Sequence, residues 1–167
     1  TFGVMKSANN VSEGCTNCTS GKYLDTEAMP SEENCKECPK GKWSSAFGVV
    51  KESSCFNCGT GRHGPDQDGA NSEILCKGCK QGMFAASVGV FGDSACTSCP
   101  IGYAQVDTGQ AFCLPCVPSE YNDKLGQPKC KQCRTNTKSE DASATVCVAC
   151  GVGEKSDPGS AKCTKCD

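Results

Sequence analysis

The eighteen cysteines of this 167-residue chain occur only in C-x-x-C pairs, and the pairs recur at nearly constant spacing. Successive pairs begin 20, 20, 21, 20, 17, 17, 17 and 16 residues apart. The nine pairs are Cys15/Cys18, Cys35/Cys38, Cys55/Cys58, Cys76/Cys79, Cys96/Cys99, Cys113/Cys116, Cys130/Cys133, Cys147/Cys150 and Cys163/Cys166. Such periodicity is typical of stacked units. We therefore predict one continuous array with two zones, of long repeats (20–21 residues) over 1–98 and short repeats (16–17 residues) over 99–167.

The composition indicates that covalent links replace an ordinary apolar core. Leu, Ile, Val and Phe together make up about 14% of the chain, below the roughly 20% at which a chain usually buries enough apolar surface to fold. Cysteine makes up about 11%, a fraction typical of disulfide scaffolds. We predict a small disulfide-rich repeat protein, an elongated rod or solenoid of short β-hairpins and loops with little or no helix.

Other residues repeat together with the cysteines. A glycine lies three residues after the second cysteine of a pair in six of eight complete units, with Ser119 and Asn136 in the other two. These glycines suit turns with positive φ. An aromatic or imidazole ring follows two residues later in five units, and we expect each ring to cover its disulfide from water: Tyr23, Trp43, His63, Phe84 and Tyr121.

Three interpretations of the C-x-x-C pairs stay open on the residues alone. Residues 15–38 match the C-x2-C-x15–20-C-x2-C spacing of zinc sites, but nine pairs cannot be divided into four-cysteine sites without a remainder. Redox pairs need a helix start after the motif, whereas Pro39, Gly59 and Pro100 indicate turns.

We favour the third interpretation, a staggered pairing in which the second cysteine of one pair bonds the first cysteine of the next. Each bridge then closes a loop with 12–17 intervening residues, which stabilises the fold by roughly 3 kcal/mol in the chain-entropy account. The predicted bridges are Cys18–Cys35, Cys38–Cys55, Cys58–Cys76, Cys79–Cys96, Cys99–Cys113, Cys116–Cys130, Cys133–Cys147 and Cys150–Cys163.

The motif C-x-x-C-P-x-G-x-aromatic, seen at Cys35 to Trp43, resembles cysteine-rich repeats of known families. It is similar to ephrin-receptor-like repeats, to the single-disulfide modules of TNF-receptor-like ectodomains, and to arrays in protist surface antigens. The resemblance covers nearly the whole chain and implies an extracellular fold with staggered pairing. The chain lacks the six-cysteine TNF-receptor module, so the resemblance does not imply a TNF-like ligand.

Staggered pairing leaves Cys15 and Cys166 without partners. Residues 1–14 are similar to the second half of a repeat, and fifteen residues would separate Cys166 of one copy from Cys15 of the next. Two hypotheses account for this. The chain is excised from a longer array, or copies join head to tail through a Cys166–Cys15 disulfide into an open filament.

The remaining sequence features concern the compartment and small sites. Asn10 and Asn17 begin N-glycosylation sequons, so we expect glycans. The chain opens without an apolar signal segment, and we interpret Thr1 as the start of a processed product or a fragment. The sequence contains no run of 18 apolar residues, so it predicts no membrane span. We interpret His63 as a packing residue, and Asp66 and Asp68 as parts of a polar turn and not of a calcium site.

Function is the least determined property of this sequence. The net charge of −2 and the absence of a basic stripe argue against nucleic acid as a partner. No residue pattern predicts a catalytic site, a metal or a cofactor, so we do not expect an enzyme. We predict an extracellular or cell-surface structural protein whose partners are other copies of itself or other surface and matrix proteins. A receptor-type ligand-binding ectodomain and a zinc-binding C-x-x-C array are the alternatives.

Overall fold

The computed structural model of this protein describes residues 17–25 and 32–166. The predictions for Cys15, Asn10 and residues 1–14 lie outside these residues. Within them the structure consists of two-residue strands, turns and short 3-10 turns, without an α-helix. The predicted fold class, a disulfide-rich repeat of short β-hairpins, is confirmed.

The sixteen described strands pair consecutively into eight antiparallel hairpins. β1 pairs with β2, β3 with β4, and so on to β15 with β16. The bounds are β1 Lys22–Tyr23, β2 Lys36–Glu37, β3 Lys42–Trp43, β4 Phe56–Asn57, β5 Arg62–His63, β6 Lys77–Gly78, β7 Met83–Phe84, β8 Thr97–Ser98, β9 Tyr103–Ala104, β10 Leu114–Pro115, β11 Glu120–Tyr121, β12 Lys131–Gln132, β13 Thr137–Lys138, β14 Val148–Ala149, β15 Glu154–Lys155 and β16 Thr164–Lys165.

Each hairpin is closed by one disulfide, and this defines eight units. The cysteine that begins a unit is here called the opening cysteine, and the one it bonds is the closing cysteine. The second strand of each hairpin is formed by the two residues inside a C-x-x-C motif, which places the closing cysteine just before this strand. Units 1–8 are the loops 18–35, 38–55, 58–76, 79–96, 99–113, 116–130, 133–147 and 150–163.

A 3-10 turn accounts for the difference between long and short units. The bonded cysteines are 17 or 18 residues apart in sequence in units 1–4, and 13 or 14 apart in units 5–8. In units 1–4 a 3-10 turn lies directly before the closing cysteine, and the described residues of units 5–8 contain none. The turns are Glu32–Asn34, Glu52–Ser54, Glu73–Leu75 and Asp93–Ala95.

Backbone hydrogen bonds stack each unit on the next. In units 2–8 one N–H, from a glycine or from Ser143, donates to the carbonyl of the preceding unit's opening cysteine at 2.8–2.9 Å. This series runs from Gly48 and Cys18 to Gly159 and Cys133. Because every step repeats the same backbone contact, the units form one continuous array whose bonded neighbours are also neighbours in sequence.

Cysteines are the most frequent buried residues of this array, and most of the other buried side chains are small or polar. The opening cysteines of units 1–7 are 0–3% exposed. The residue six positions after the opening cysteine, here called the spine residue, is buried throughout units 2–8. The spine residues are Ser44, Gly64, Ala85, Gln105, Asn122, Ser139 and Ser156. The array therefore buries disulfide bridges along its length, where an ordinary domain buries aliphatic side chains.

Candidate functional site

The disulfides are the first candidate site, since the sequence predicted them residue by residue. The structure joins the sixteen described cysteines from Cys18 to Cys163 in the staggered order, with Cα–Cα distances of 5.5–5.8 Å. Zinc binds thiolates, and these sixteen sulfur atoms are bonded to one another. In the described part of the chain no group of three or more His, Cys, Asp or Glu residues is placed to hold a metal ion.

The turn residue, three positions after the opening cysteine, carries the second repeated contact between units. Its N–H donates to the carbonyl of the next unit's spine residue, as from Gly61 to Ala85 at 2.7 Å. A Cβ on Gly61 would overlap the carbonyl oxygen of Gly109, which lies two units further along. In units 1–5 the turn glycine therefore meets two following units, and the stack leaves no room for a Cβ, whereas units 6 and 7 carry Ser119 and Asn136 at this position.

Spine side chains add a bond between units that the sequence analysis missed. Asn122 is fully buried, and its Nδ2 donates to the carbonyl of Tyr103 in the preceding unit at 2.7 Å. The Oγ of Ser156 donates in the same way to the carbonyl of Thr137 at 2.9 Å. A polar residue six positions after the opening cysteine in five of units 2–8 was the available signal.

Two of the five predicted rings, Tyr23 and Trp43, make contacts other than the expected one with their own disulfide. Tyr23 is buried with Val49 and with both cysteines of the following unit's bridge, Cys38 and Cys55. Trp43 pairs across its hairpin with Phe56, with ring centroids 5.4 Å apart. Each of these rings thus lies on the strand, where it contacts a cross-strand partner or the next disulfide.

A cleft of about 400 Å³ lies beside His63, between units 3 and 4. The ring is 6% exposed, in keeping with a packing role. Its Nε2 lies 3.4 Å from a carboxylate oxygen of Asp93, and its Nδ1 lies 3.3 Å from the carbonyl of Gly64. Both ring nitrogens therefore face oxygen atoms, and the ring joins two units.

Asp66 and Asp68 both bind Lys40 of the preceding unit. The Nζ of Lys40 donates to Asp66 at 2.9 Å, and its backbone N–H donates to Asp68 at 2.9 Å. The hydrogen bond that the Lys40 ammonium donates to Asp66 raises the pKa of Lys40 above its ordinary value. This pair of carboxylates is used in contacts between units, as a polar turn would be.

The predicted glycosylation residue Asn17 is exposed, with its side chain against the backbone of Gly48 in unit 2. The next residue, Cys18, lies in a disulfide. Glycosylation at Asn17, like that at Asn10, stays a prediction.

Unit 8, the last described unit, differs from the units before it in burial. Cys166 holds the place of an opening cysteine, but it is exposed and free. Cys150, which opens unit 8, is half-buried, whereas the seven opening cysteines before it are 0–3% exposed. A Cβ on Gly153, the turn residue of unit 8, would meet no described atom within 4 Å.

No family model matches the chain, and no curated protein has a significantly similar sequence. Among the described residues there is no helix of the length and hydropathy that crossing a bilayer requires. The chain is a cysteine-rich repeat protein, and the eight disulfides among its described residues indicate an oxidising compartment.

Proposed function

We propose that this protein is an extracellular structural protein, a disulfide-stapled repeat rod of a cell surface, matrix or filament assembly. The observation that carries the proposal is the regular stack itself. Opening cysteines, turn residues and spine residues all serve contacts between units, from Cys18 to Ser156. Because the repeated residues serve the array itself, reach and resistance to unfolding and proteolysis are the properties that the array provides. We propose that the protein is not an enzyme.

The repeats are proposed to be of the ephrin-receptor-like or TNF-receptor-like kind. The support is the staggered pairing, in which the second cysteine of each motif closes onto the next motif downstream. The motif from Cys35 to Trp43 has its turn at Gly41 and its ring on β3, one turn after the opening cysteine.

The location of the protein on cells and the shape of the purified protein together test this proposal. Antibodies against the folded protein should label intact, unpermeabilised cells or their matrix, and small-angle scattering of the purified protein should show a particle several times longer than wide. Labelling only after permeabilisation, with cysteines that react with alkylating reagents in freshly lysed cells, would contradict an extracellular role.

A receptor-type ectodomain is the second candidate, and unit 2 favours it. Phe47 and Phe56 are 71% and 60% exposed, and Phe56 contacts Trp43. Exposed aromatic clusters are typical of protein-binding hot spots. Replacement of Phe47 and Phe56 by Ser should abolish binding to cells or matrix if these rings bind a ligand, and should leave binding unchanged if the array is purely structural. Ile74→Ser, at another exposed apolar residue, is the matched control.

A further inference from the structure

His63 is held in a fixed orientation at the boundary between units 3 and 4. It is the one histidine of the chain, and its ring is buried. Its Nδ1 lies 3.3 Å from the carbonyl oxygen of Gly64. Because a carbonyl can only accept a hydrogen bond, Nδ1 carries the hydrogen of the neutral ring. The neutral ring therefore presents the lone pair of Nε2 on its other side.

Nε2 faces an oxygen atom that also carries lone pairs. It lies 3.4 Å from Oδ1 of Asp93 in unit 4, beyond the roughly 2.7–3.2 Å of an ordinary N–H···O hydrogen bond. Two such atoms repel each other unless a positively charged species binds both. A metal ion that binds a nitrogen and an oxygen at about 2.0–2.1 Å in tetrahedral geometry holds them about 3.3 Å apart. The separation of Nε2 and Oδ1 thus matches that of two ligands of one ion.

The carboxylate of Asp93 is free to serve as such a ligand. In units 2 and 3 the acidic residue that begins the 3-10 turn pairs with the basic residue four positions after the opening cysteine, as Glu73 does with Arg62 at 3.5 Å. Unit 4 has the uncharged Met83 at this position. Among the residues that the structure describes, no lysine or arginine forms an ion pair with Asp93, whose side chain is 82% exposed.

The cleft of about 400 Å³ beside His63 leaves room for the other ligands of an ion. It is lined by residues of both units, so it opens on the two ligand atoms from solvent. Lys77 brings a positive charge to this cleft, and the negative charge of Asp66 is already paired with Lys40. The remaining coordination positions therefore belong to water.

We propose that Nε2 of His63 and the carboxylate of Asp93 bind one divalent transition-metal ion of the Zn²⁺ and Cu²⁺ class. Imidazole nitrogen and carboxylate oxygen are ligands that both ions accept. A backbone carbonyl bonded to the other ring nitrogen, like that of Gly64, is a common support of a metal-bound histidine. Because the two ligands belong to different units, the ion ties unit 3 to unit 4. The inference is independent of the proposed structural role.

The first measurement is a calorimetric titration of the oxidised full chain with Zn²⁺ and, separately, with Cu²⁺ near neutral pH. Free thiols are alkylated beforehand, because thiolates would also bind these ions. We expect one ion per chain, with Cu²⁺ bound more tightly than Zn²⁺. In a parallel nuclear magnetic resonance titration, Zn²⁺ should shift the ring signals of His63.

Two substitutions remove one ligand each. His63→Phe keeps a ring, as Phe84 does at the equivalent position of unit 4, and should abolish binding. Asp93→Asn keeps the shape of the side chain and should weaken binding at least about ten-fold, because the loss of a residue that only positions a metal ligand already costs about that much. Glu73→Gln is the matched control, since it removes the carboxylate that begins the turn of unit 3, and it should leave the affinity unchanged.

Hydrogen exchange tests the link between the two units. The N–H of Gly64 donates to Val90 at 2.8 Å and that of Gly92 donates to Gly64 at 3.0 Å, so both amides report on opening between units 3 and 4. With free Zn²⁺ at ten times its dissociation constant, exchange at these amides should slow about ten-fold, because the ion binds only the closed form. The amide of Gly126, which donates to Cys99, is the control and should not change.

Three results would overturn the inference. They are no binding of either ion, binding that His63→Phe retains, and equal affinities of Asp93→Asn and the unchanged chain. In the first case, ring signals that respond to pH but not to Zn²⁺ would show that a proton alone links the two atoms. Eight mapped internal disulfides would leave the structural rod standing in each case, because the ion is not what holds the fold together.

Discussion

At the scale of single residues, Gly61 shows why the stack tolerates so little variation. It adopts φ +76, in the left-handed region that disfavours residues with a Cβ. The added Cβ would also overlap the carbonyl of Gly109, a backbone atom that cannot move without shifting a unit two positions away. Conformation and packing therefore select the same residue.

Gly61→Ala should lower the free energy of unfolding by about 2–4 kcal/mol, because left-handed strain and overpacking act together. Guanidinium unfolding with the disulfides intact measures this. Gly59→Ala is the matched control, since its Cβ would meet no atom within 4 Å and its φ lies outside the left-handed region. Equal stability of the two variants would contradict the close approach of unit 5.

Asn122 represents the buried polar spine. Asn122→Ala should cost about 1–3 kcal/mol, because the carbonyl of Tyr103 loses its donor inside the array. Hydrogen exchange at the amides of units 5 and 6 should speed up accordingly. Lys124→Ala, on the exposed part of the same loop, keeps the backbone N–H that Asn122 binds and should change nothing. Unchanged exchange in Asn122→Ala would show that this bond adds no stability.

At the scale of the hairpin, two residues per strand are too few to be stable alone. The disulfide holds the strands in register by joining the opening cysteine to the residue just before the second strand, as between Cys58 and β6. Neighbouring units then supply the remaining backbone partners. Each hairpin therefore requires both its disulfide and its contacts with neighbouring units.

Removing one internal bridge with Cys58→Ser and Cys76→Ser should destabilise unit 3 by about 3 kcal/mol. Amide exchange should rise in units 2–4, which share backbone bonds with it, and stay slow in units 7 and 8. The same change at Cys150 and Cys163 serves as the comparison, and its effect should be limited to units 7 and 8. Uniform loss of protection in both variants would contradict a stack of neighbour-dependent units.

Ion pairs on the hairpin surfaces make the stability of the fold depend slightly on pH. The hydrogen bond from Lys131 lowers the pKa of Asp123, and Lys138 lowers the pKa of Glu140 in the same way. A carboxyl group whose pKa is lowered in the folded state stabilises the fold at pH values above its ordinary pKa of about 4. This contribution is lost as the pH falls through the pKa of the folded state. All four side chains are substantially solvent-exposed, so the effect is screened.

The circular dichroism spectrum should accordingly stay nearly constant from pH 7 to pH 2, because disulfides do not titrate in this range. Amide exchange, corrected for the intrinsic rate at each pH, should increase only slightly at β11–β14 below pH 4. Cooperative unfolding between pH 4 and pH 2 would show that carboxylates contribute far more than their exposure allows.

At the scale of the whole molecule, stability comes from bridges distributed along the array. Apolar side chains as large as Phe47 and Ile74 remain exposed, so burial alone would not hold the chain. The array should therefore depend on the oxidation state of its cysteines.

Reduction with dithiothreitol should remove the structure completely, with loss of the near-ultraviolet signal of Trp43 and of amide protection in all units. EDTA at the same pH is the control and should have no effect, because the sixteen paired cysteines bind one another. Structure that survives reduction, or that EDTA removes, would contradict the stapled array.

Much of this architecture was predictable from the sequence. The cysteine period, the turn glycines and the low aliphatic content together indicated stapled hairpins in an array, because each of these features depends on local spacing along the chain. The pairing of Cys38 with Cys55 follows the same rule, since the two lie in adjacent motifs.

Other features depended on contacts that local spacing does not reveal. The approach of Gly61 to Gly109, the contact of Tyr23 with the next unit's bridge, and the bond from Asn122 to Tyr103 all join units that only stacking brings together. Spacing along the chain thus specified the hairpin and its disulfide, whereas the stacking of units in space specified which of the described atoms are covered.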